Sequence, residues 1–159
     1  MAELTTPATT AAREAGLAFE VIQMPRPPTS AEDSAEMQGL RLADLIRTIV
    51  LRRAADDYVF VLLPGGRQIE WPKLRAHLGV RKMSLPDQDE AKAVTGYERG
   101  AITPFGASTA WPVIADATID PDATVAIGGG MRGVNLHLRG ADLIAATGAD
   151  VADISKADA

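Results

Sequence analysis

The stretch GAITPFG at residues 100–106 combines a stiffened turn with very little side-chain chemistry. It contains no acid, base or strong nucleophile, and Thr103 supplies its only hydroxyl group. Because glycine leaves the backbone accessible and proline restricts it, such a loop could present backbone N–H groups to a water molecule or a developing oxyanion. The same composition is also typical of an ordinary surface turn. The residues alone leave both interpretations open.

Arg47 is the most unusual charged residue of the chain, because it lies within the apolar run LIRTIVL. In a β-strand, Arg47, Ile49 and Leu51 share one face, and we expect both faces of this strand to be buried. The guanidinium group then either extends from the start of the strand to water or lines a cleft. In a cleft, its planar fork of donors fits a phosphate or a carboxylate.

Few other residues have the types or spacing of a catalytic or metal site. Cysteine is absent, which excludes disulfides, thiolate catalysis and zinc–cysteine sites. His77 and His137 are far apart on separate predicted elements, so no metal ligand set is indicated. The GGG stretch at 128–130 follows a strand without a clear following helix, which argues against a dinucleotide-binding loop. It predicts either a flexible turn or a backbone that a ligand can approach closely.

Charge is distributed unevenly along the chain. The net charge is −5, which by itself argues against a nucleic-acid partner. Residues 41–82 nevertheless hold nine basic and four acidic residues, a balance of +5. This basic segment, residues 41–82, is either a solvated face or a contact surface for a polyanion.

Length and composition indicate one ordinary globular domain. The chain has 159 residues, 47% hydrophobic and 23% charged. No apolar run is long enough to span a bilayer, and the N-terminus lacks the pattern of a secretory signal, so we expect a cytoplasmic protein. We predict one domain over residues 1–159, with an N-terminal helix (1–16) and a tail (154–159) at its periphery.

Capping and turn residues divide the chain into helices and strands. A helix is predicted from Thr6-Pro7 to Gly16, and a second helix from a Thr29–Glu32 capping box to Gly39. Further helices are predicted in EWPKLRAHLG, SLPDQDEAKAVTG and residues 141–147. Strands are predicted in LAFEVIQM, in the hairpin LIRTIVLRR/YVFVLLPGG, and in WPVIAD, TVAIGGG and GVNLHL. These elements do not form a regular βαβ repeat.

Taken in order, several of these segments resemble the YbaK/prolyl-tRNA synthetase-associated editing domain family, over about Thr29 to Asp153. SAEDSAEMQG is similar to the small-residue helix of the family, and LIRTIV to its apolar-apolar-Lys-Thr-apolar strand. WPKLRAHLGVRKMSLP and AKAVTGYERGAITPFG resemble its helix, Thr-Gly turn and Gly-x-x-x-Pro loop. GADLIAATGADVADI resembles its last helix and tail. The resemblance implies an α/β fold with a mixed, partly closed β-sheet surrounded by helices.

The resemblance also implies a trans-acting aminoacyl-tRNA deacylase that uses no metal or other cofactor. Its substrate would be the ester at the acceptor end of a mischarged tRNA, with a tRNA for proline as one candidate, and a synthetase could deliver it. No DNA or membrane partner is expected. The loop would hold the ester and the attacking water through backbone groups, assisted by substrate hydroxyls. The implied catalytic residues are Arg47, Gly100 and Ala101. The implied substrate-binding residues are Thr48, Ile102, Thr103, Pro104, Phe105, Gly106, Gly128 and Gly129, and the implied tRNA contacts are Arg52, Arg53 and Lys73.

Departures from the family pattern leave alternative functions open. Arg47 stands where the family has a functional lysine, and Gly128 where a serine is common. Phe105-Gly106-Ala107 keeps the loop exit but lacks the histidine that some relatives carry after Pro-x-Gly. One alternative is therefore a non-catalytic module that binds tRNA or a synthetase, and another is a hydrolase of an unrelated small ester.

Overall fold

The computed structural model describes residues 4–158. This range contains five α-helices and nine β-strands. Residues 1–3 and 159 of the expected domain lie outside this range. The helices are α1 (Pro7–Glu14), α2 (Ala31–Gln38), α3 (Trp71–Leu78), α4 (Gln88–Thr95) and α5 (Gly140–Thr147). The strands are β1 (Glu20–Gln23), β2 (Ile46–Ala54), β3 (Asp57–Pro64), β4 (Arg67–Ile69), β5 (Val113–Asp116), β6 (Thr124–Gly128), β7 (Val134–Arg139), β8 (Asp150–Ala152) and β9 (Ser155–Ala157).

The largest sheet is built on the hairpin of β2 and β3, which confirms the predicted hairpin. Strand order in this sheet is β2-β3-β5-β8, and β5 lies parallel to both of its neighbours. From Tyr58 to Pro64, β3 is buried at every residue, which explains its nearly continuous apolar sequence. By contrast, β2 lies at the edge of the sheet and is only partly buried.

Two smaller sheets complete the fold. One is antiparallel in the order β1-β7-β6, and the other pairs β4 with β9. A parallel bridge between Leu45 and Ala126 joins the start of β2 to β6. The predicted mixed α/β fold with surrounding helices is therefore confirmed, with its strands divided among three sheets.

The core lies on both sides of β3. Phe60 and Leu62 point into one hydrophobic cluster, together with Leu136 of β7. The alternate residues of β3 point into a second cluster, which includes Leu74 of α3 and Ile154. Because burial of one such side chain contributes about 1.5–3 kcal/mol, β3 is the strand on which both halves of the core depend.

The two segments expected at the periphery, residues 1–16 and 154–159, both contain buried residues within the described range. Thr6 caps α1 through a capping box with Thr9, and Ala8 and Ala12 of this helix are completely buried. At the other end, the tail forms β9, and its first residue, Ser155, is 1% exposed.

The cap of α2 differs from the predicted capping box by one residue. Ser30, not Thr29, accepts a hydrogen bond from the Asp33 N–H at 2.9 Å. The Asp33 carboxylate is held by two hydrogen bonds from Arg26 and accepts a further bond from the Thr29 N–H. Its contact with Arg26 lowers the pKa of Asp33 well below the usual range. The prediction missed this register because it did not include Arg26 as a partner.

The sequence also did not indicate β4, β8 and β9, each of which has three residues. Such short strands contain too few residues for an alternating pattern and depend on pairing with distant segments. The strand predicted at LAFEVIQM is confirmed, but only Glu20–Gln23 of it forms β1.

Gly106 allows the loop to pack against the start of α1, and this gives a test of the fold. Gly106 has φ +68°, and a Cβ atom there would collide with the Pro7 carbonyl oxygen. Gly133 has φ +79° with nothing within 4 Å of a Cβ, so Gly133→Ala incurs only backbone strain, about 1–2 kcal/mol. In urea unfolding, we expect Gly106→Ala to lower the free energy of unfolding by more than Gly133→Ala. Equal losses would contradict a close Pro7–Gly106 contact.

Candidate active site

A cleft of about 710 Å³ lies between the edge strand β2, the start of α4 and the loop at residues 99–102. We call it the main cleft. It is lined by Ile46, Arg47, Thr48, Ile49, Val50, Leu85, Pro86, Asp87, Gln88, Ala91, Arg99, Gly100, Ile102, Gly128 and Asn135. A smaller recess of about 350 Å³ lies beside the N-terminus of α2 and shares Ile46, Arg47 and Asn135 with the main cleft.

The structure brings five of the predicted site residues together in the main cleft. They come from β2, the loop and the end of β6: Arg47, Thr48, Gly100, Ile102 and Gly128. These segments are distant in sequence, so their meeting in one cleft is a consequence of the fold. The catalytic and binding roles given to them stay predictions.

The other predicted catalytic and substrate-binding residues do not line the main cleft. Ala101, Thr103 and Phe105 are buried. The Phe105 carbonyl accepts a hydrogen bond from the Tyr97 hydroxyl at 2.6 Å. Gly129 donates its N–H to Val134 and accepts from the Thr6 hydroxyl, so it belongs to the β6–β7 turn. Pro104 and Gly106 are likewise absent from the cleft lining.

Hydrogen bonds within the loop show which of its backbone N–H groups already have an acceptor. The Ala101 N–H donates to the Glu98 carbonyl oxygen at 2.9 Å, so this donor is already occupied within the turn. Within residues 4–158, the N–H groups of Gly100 and Ile102 have no hydrogen-bond acceptor. Both residues line the main cleft, and Gly100 has φ +90°. The free donors therefore flank Ala101 on either side.

Gly128 lets the loop approach β6 closely. A Cβ atom at Gly128 would lie 3.1 Å from the Ile102 carbonyl oxygen and 3.8 Å from the Thr103 Cβ. Even a small side chain there would push against the loop backbone. Glycine at this position thus sets how near the loop lies to the strand.

Arg47 is exposed, contrary to the expectation that both faces of its strand are buried, because β2 is an edge strand. Arg47 also lines the main cleft. Both interpretations of this residue, extension to water and a position in a cleft, therefore apply. Its Nη2 donates to the Arg67 carbonyl oxygen at 2.6 Å. One of the five guanidinium N–H donors is therefore held by β4, and the others remain available.

Two threonine hydroxyls are buried without a hydrogen-bond partner among the described residues. They belong to Thr48 in the cleft wall and Thr103 in the loop. A buried hydroxyl left unpaired costs about 1–3 kcal/mol. At Thr48, a water molecule or a polar group of a ligand in the cleft would supply the missing partner.

Four polar residues of the cleft lining were not among the predicted site residues: Asp87, Gln88, Arg99 and Asn135. Asn135 lies on β7 directly opposite Gly128, and Asp87 caps α4 by accepting from the Glu90 N–H at 2.8 Å. The signal for Asn135 was a polar residue within the apolar alternation of VNLHL. Asp87 lies at a helix start, where an acid is favoured, so its sequence context indicates only this structural role.

Each of the two histidines has one polar side-chain partner. His77 Nε2 lies 2.6 Å from Asp150 Oδ2, and His137 Nε2 lies 2.8 Å from Gln38 Oε1. Burial lowers the pKa of His137, which favours its neutral form. Among residues 4–158, no group of three His, Asp or Glu side chains is placed to hold a metal ion, and no helix is long and apolar enough to cross a membrane.

The cations predicted to contact tRNA are paired with carboxylates. The pairs are Arg53 with Asp57 at 2.8 Å, Lys73 with Asp153 at 3.1 Å and with Glu70 at 3.3 Å, and Arg52 with Glu90 at 4.0 Å. None of the three cations lines the main cleft. Arg75, Arg81 and Lys82 of the basic segment have no ion-pair partner in the part of the chain that the structure describes. The positive charge free for a polyanion therefore lies mainly on these other residues.

Comparison with known proteins identifies relatives over most of the chain. A family model for an aminoacyl-tRNA editing domain matches residues 26–146. An Enterococcus faecalis protein, EbsC, named as a candidate Cys-tRNA(Pro)/Cys-tRNA(Cys) deacylase, is 25% identical over 126 residues, covering 79% of this chain and 77% of that protein. The proline–tRNA ligase of Thermosipho melanesiensis is 26% identical over 110 residues, covering 69% of this chain but only 19% of the ligase.

Similarity to solved structures agrees with the fold. A crystal structure described as a candidate trans-editing enzyme for prolyl tRNA synthetase aligns with a TM-score of 0.87 at 22% identity. The alignment covers 97% of this chain and 99% of that one. At this identity, the similarity shows a shared fold.

The cations of the basic segment differ in whether they are paired with a carboxylate, and we expect this to change how much each contributes to tRNA binding. We expect Arg81→Glu/Lys82→Glu to weaken tRNA binding and to reduce the slope of log K against log salt by about 1 per lost phosphate contact. We expect a smaller change from Arg52→Glu/Arg53→Glu, because nearby carboxylates already offset those charges. Fluorescence anisotropy over a KCl series measures both slopes. Slopes unchanged from wild type in both variants would show that the segment is only a solvated face.

Proposed function

Because the chain belongs to the aminoacyl-tRNA editing domain family, we propose that it is a trans-acting deacylase that hydrolyses the ester of a mischarged tRNA. The proposed ligand is the acceptor end of that tRNA. A tRNA for proline is the first candidate, since the names of the relatives include a Cys-tRNA(Pro) deacylase and proline–tRNA ligases. A synthetase is the proposed partner that delivers the substrate.

The observation that carries this proposal is the pair of unoccupied N–H groups at Gly100 and Ile102 on the wall of the main cleft. Donors that are already oriented can stabilise negative charge on an ester oxygen at no further reorganisation cost. The cleft volume of about 710 Å³ is in the range of small-molecule sites, which suits the aminoacyl end of a nucleic acid. The loop can therefore contribute to catalysis although it has no titrating side chain.

In the proposed reaction, a water oxygen attacks the ester carbonyl carbon, and the carbonyl oxygen becomes an oxyanion near the Gly100 and Ile102 N–H groups. The intermediate then collapses with cleavage of the bond to the ribose oxygen. The neighbouring ribose hydroxyl relays the proton of the attacking water to that oxygen. The products are a free amino acid and a tRNA with its terminal hydroxyl restored.

Arg47 is proposed to bind the terminal phosphate or ribose at the mouth of the cleft. Its planar donor group suits a phosphate, and the donors not held by Arg67 remain available. A hydrogen bond to a charged group contributes about 1.5–3 kcal/mol, so this contact is sufficient to hold the substrate in register.

Asp87 offers a different route, in which a carboxylate of the protein acts as the general base. Its Oδ1 is occupied by the Glu90 N–H, and the side chain lines the main cleft. Asp87→Asn keeps a side-chain oxygen for the helix cap but cannot accept a proton as a base. This variant therefore separates assistance by the substrate hydroxyl from general-base catalysis by the protein.

A panel of mischarged tRNAs, assayed for loss of the ester, tests the proposal. We expect the wild-type protein to hydrolyse at least one of them, with Asp87→Asn close to wild type. We expect Gly100→Ala to lose about 100-fold in rate, because a displacement of about 1 Å in a positioned donor costs that much. Gly133→Ala is the matched control, and Pro104→Ala should lose less than Gly100→Ala. A folded, fully active Gly100→Ala protein by circular dichroism would exclude the loop from the mechanism.

Arg47 variants separate a deacylase from a non-catalytic module. We expect Arg47→Ala to lose about one to two decades in kcat/KM, from one charge-assisted contact. We expect Arg47→Lys to retain partial activity, because the charge is kept while the fork geometry is lost. A wild-type protein inert on every mischarged tRNA, beside an active Arg47→Lys variant, would favour the alternative of a module that binds tRNA or a synthetase without hydrolysis.

A further inference from the structure

The Arg47 guanidinium is anchored to a strand that does not itself line the main cleft. Its Nη2 donates to the carbonyl oxygen of Arg67 at 2.6 Å. Arg67 is the first residue of β4, a strand of only three residues. A strand this short does not hold its own position, so whatever fixes β4 also fixes the anchor of Arg47.

Strand β9, near the end of the chain, fixes β4. Arg67 pairs with Ala157 in an antiparallel ladder, and Ile69 pairs with Ser155. The Arg67 Nε donates to the Ser155 hydroxyl at 2.7 Å. Past the ladder, the Asp158 N–H donates to the Gly66 carbonyl oxygen at 3.0 Å.

A buried carboxylate ties this pair of strands to the main sheet. Asp116, at the end of β5, is completely buried. One of its oxygens lies 3.7 Å from the Arg67 Nε, and the other accepts from the Ile154 N–H at 3.3 Å. The side chain of Arg67 thus joins Asp116 and Ser155, while its backbone carbonyl holds Arg47.

We propose that β9 positions the Arg47 guanidinium at the cleft, and that Arg67 and Ser155 are positioning residues for it. The proposal rests on the proposed function, because it gives the purpose of that positioning. A guanidinium group with one donor already hydrogen-bonded loses less conformational entropy when a phosphate or ribose binds to it. Loosening β9 therefore leaves the cleft intact but allows the Arg47 side chain to move.

A double-mutant cycle tests this proposal. Ser155→Ala removes the hydroxyl that holds the Arg67 side chain, and Lys156→Ala is the matched control on the same strand, since Lys156 is exposed. We expect Ser155→Ala to lower kcat/KM on a mischarged tRNA about three- to tenfold, and Lys156→Ala to leave it unchanged. In an Arg47→Ala background, we expect Ser155→Ala to have no further effect. An equal loss in both backgrounds would show a general structural role and overturn the proposal.

Nuclear magnetic resonance of the arginine side chains measures the mobility of Arg47 without depending on enzymatic activity. In ¹⁵N-labelled protein, the Arg47 signals are identified by their disappearance in Arg47→Lys. We expect hindered rotation of the Arg47 guanidinium in the wild type and in Lys156→Ala, and averaged signals in Ser155→Ala. Averaged Arg47 signals in the wild type would overturn the proposal.

The two readouts also separate this proposal from the proposed function. If the wild type hydrolyses none of the mischarged tRNAs, the proposed function fails, while the Arg47 signals still decide whether β9 holds the side chain. If Ser155→Ala does not fold, Arg67→Lys replaces it in the cycle. This variant keeps the backbone carbonyl and the charge but removes the guanidinium that joins Ser155 and Asp116.

Discussion

The pairing of β2 with the fully buried strand β3 is the constraint on which the rest of the structure depends. From Tyr58 to Pro64, β3 is buried at every residue, and its two faces supply both halves of the core. Because β3 pairs with one edge of β2, only the stretch of its other edge between the bridges at Leu45 and Arg52 remains open. Arg47 and Thr48 can therefore line the cleft from a rigid strand instead of from a loop.

The site depends on two further contacts that bring distant backbone segments to this open edge. Gly128 lets the loop lie against β6, and Gly100 and Ile102 of this loop, whose N–H groups are free, line the main cleft. Strand β4 holds the Arg47 guanidinium from outside. In both cases a backbone group does the positioning, which is why so little of the chemistry is visible in the side chains.

Local signals in the sequence predicted much of the fold. Thr6-Pro7 marks the start of α1, and glycines at 39, 79, 96 and 148 end four of the helices with a positive φ. The continuous apolar run of β3 predicted its burial. What the sequence could not predict depends on partners far along the chain, such as the three-residue strands and the open edge that leaves Arg47 exposed.

For the candidate site, too, local sequence signals predicted one part, and contacts between distant segments determined the rest. The types of Arg47, Gly100 and Gly128 marked them as candidates, but the choice of donors within the loop required the Ala101–Glu98 hydrogen bond. Charge along the sequence indicated a basic segment, yet Arg53 and Lys73 are paired with carboxylates, one of which, Asp153, is 80 residues away from Lys73. The sequence therefore identifies candidate residues for a site, but the three-dimensional contacts determine which of their groups are free to bind a ligand.

The most direct test of this account is a crystal structure with a non-hydrolysable aminoacyl-adenosine, in which an amide replaces the ester. We predict that the amide carbonyl oxygen lies about 2.7–3.2 Å from the N–H nitrogen of Gly100 or Ile102, with the ribose beside Arg47. An analogue bound elsewhere, with both N–H groups still unoccupied, would contradict the claim that this loop holds the reacting ester.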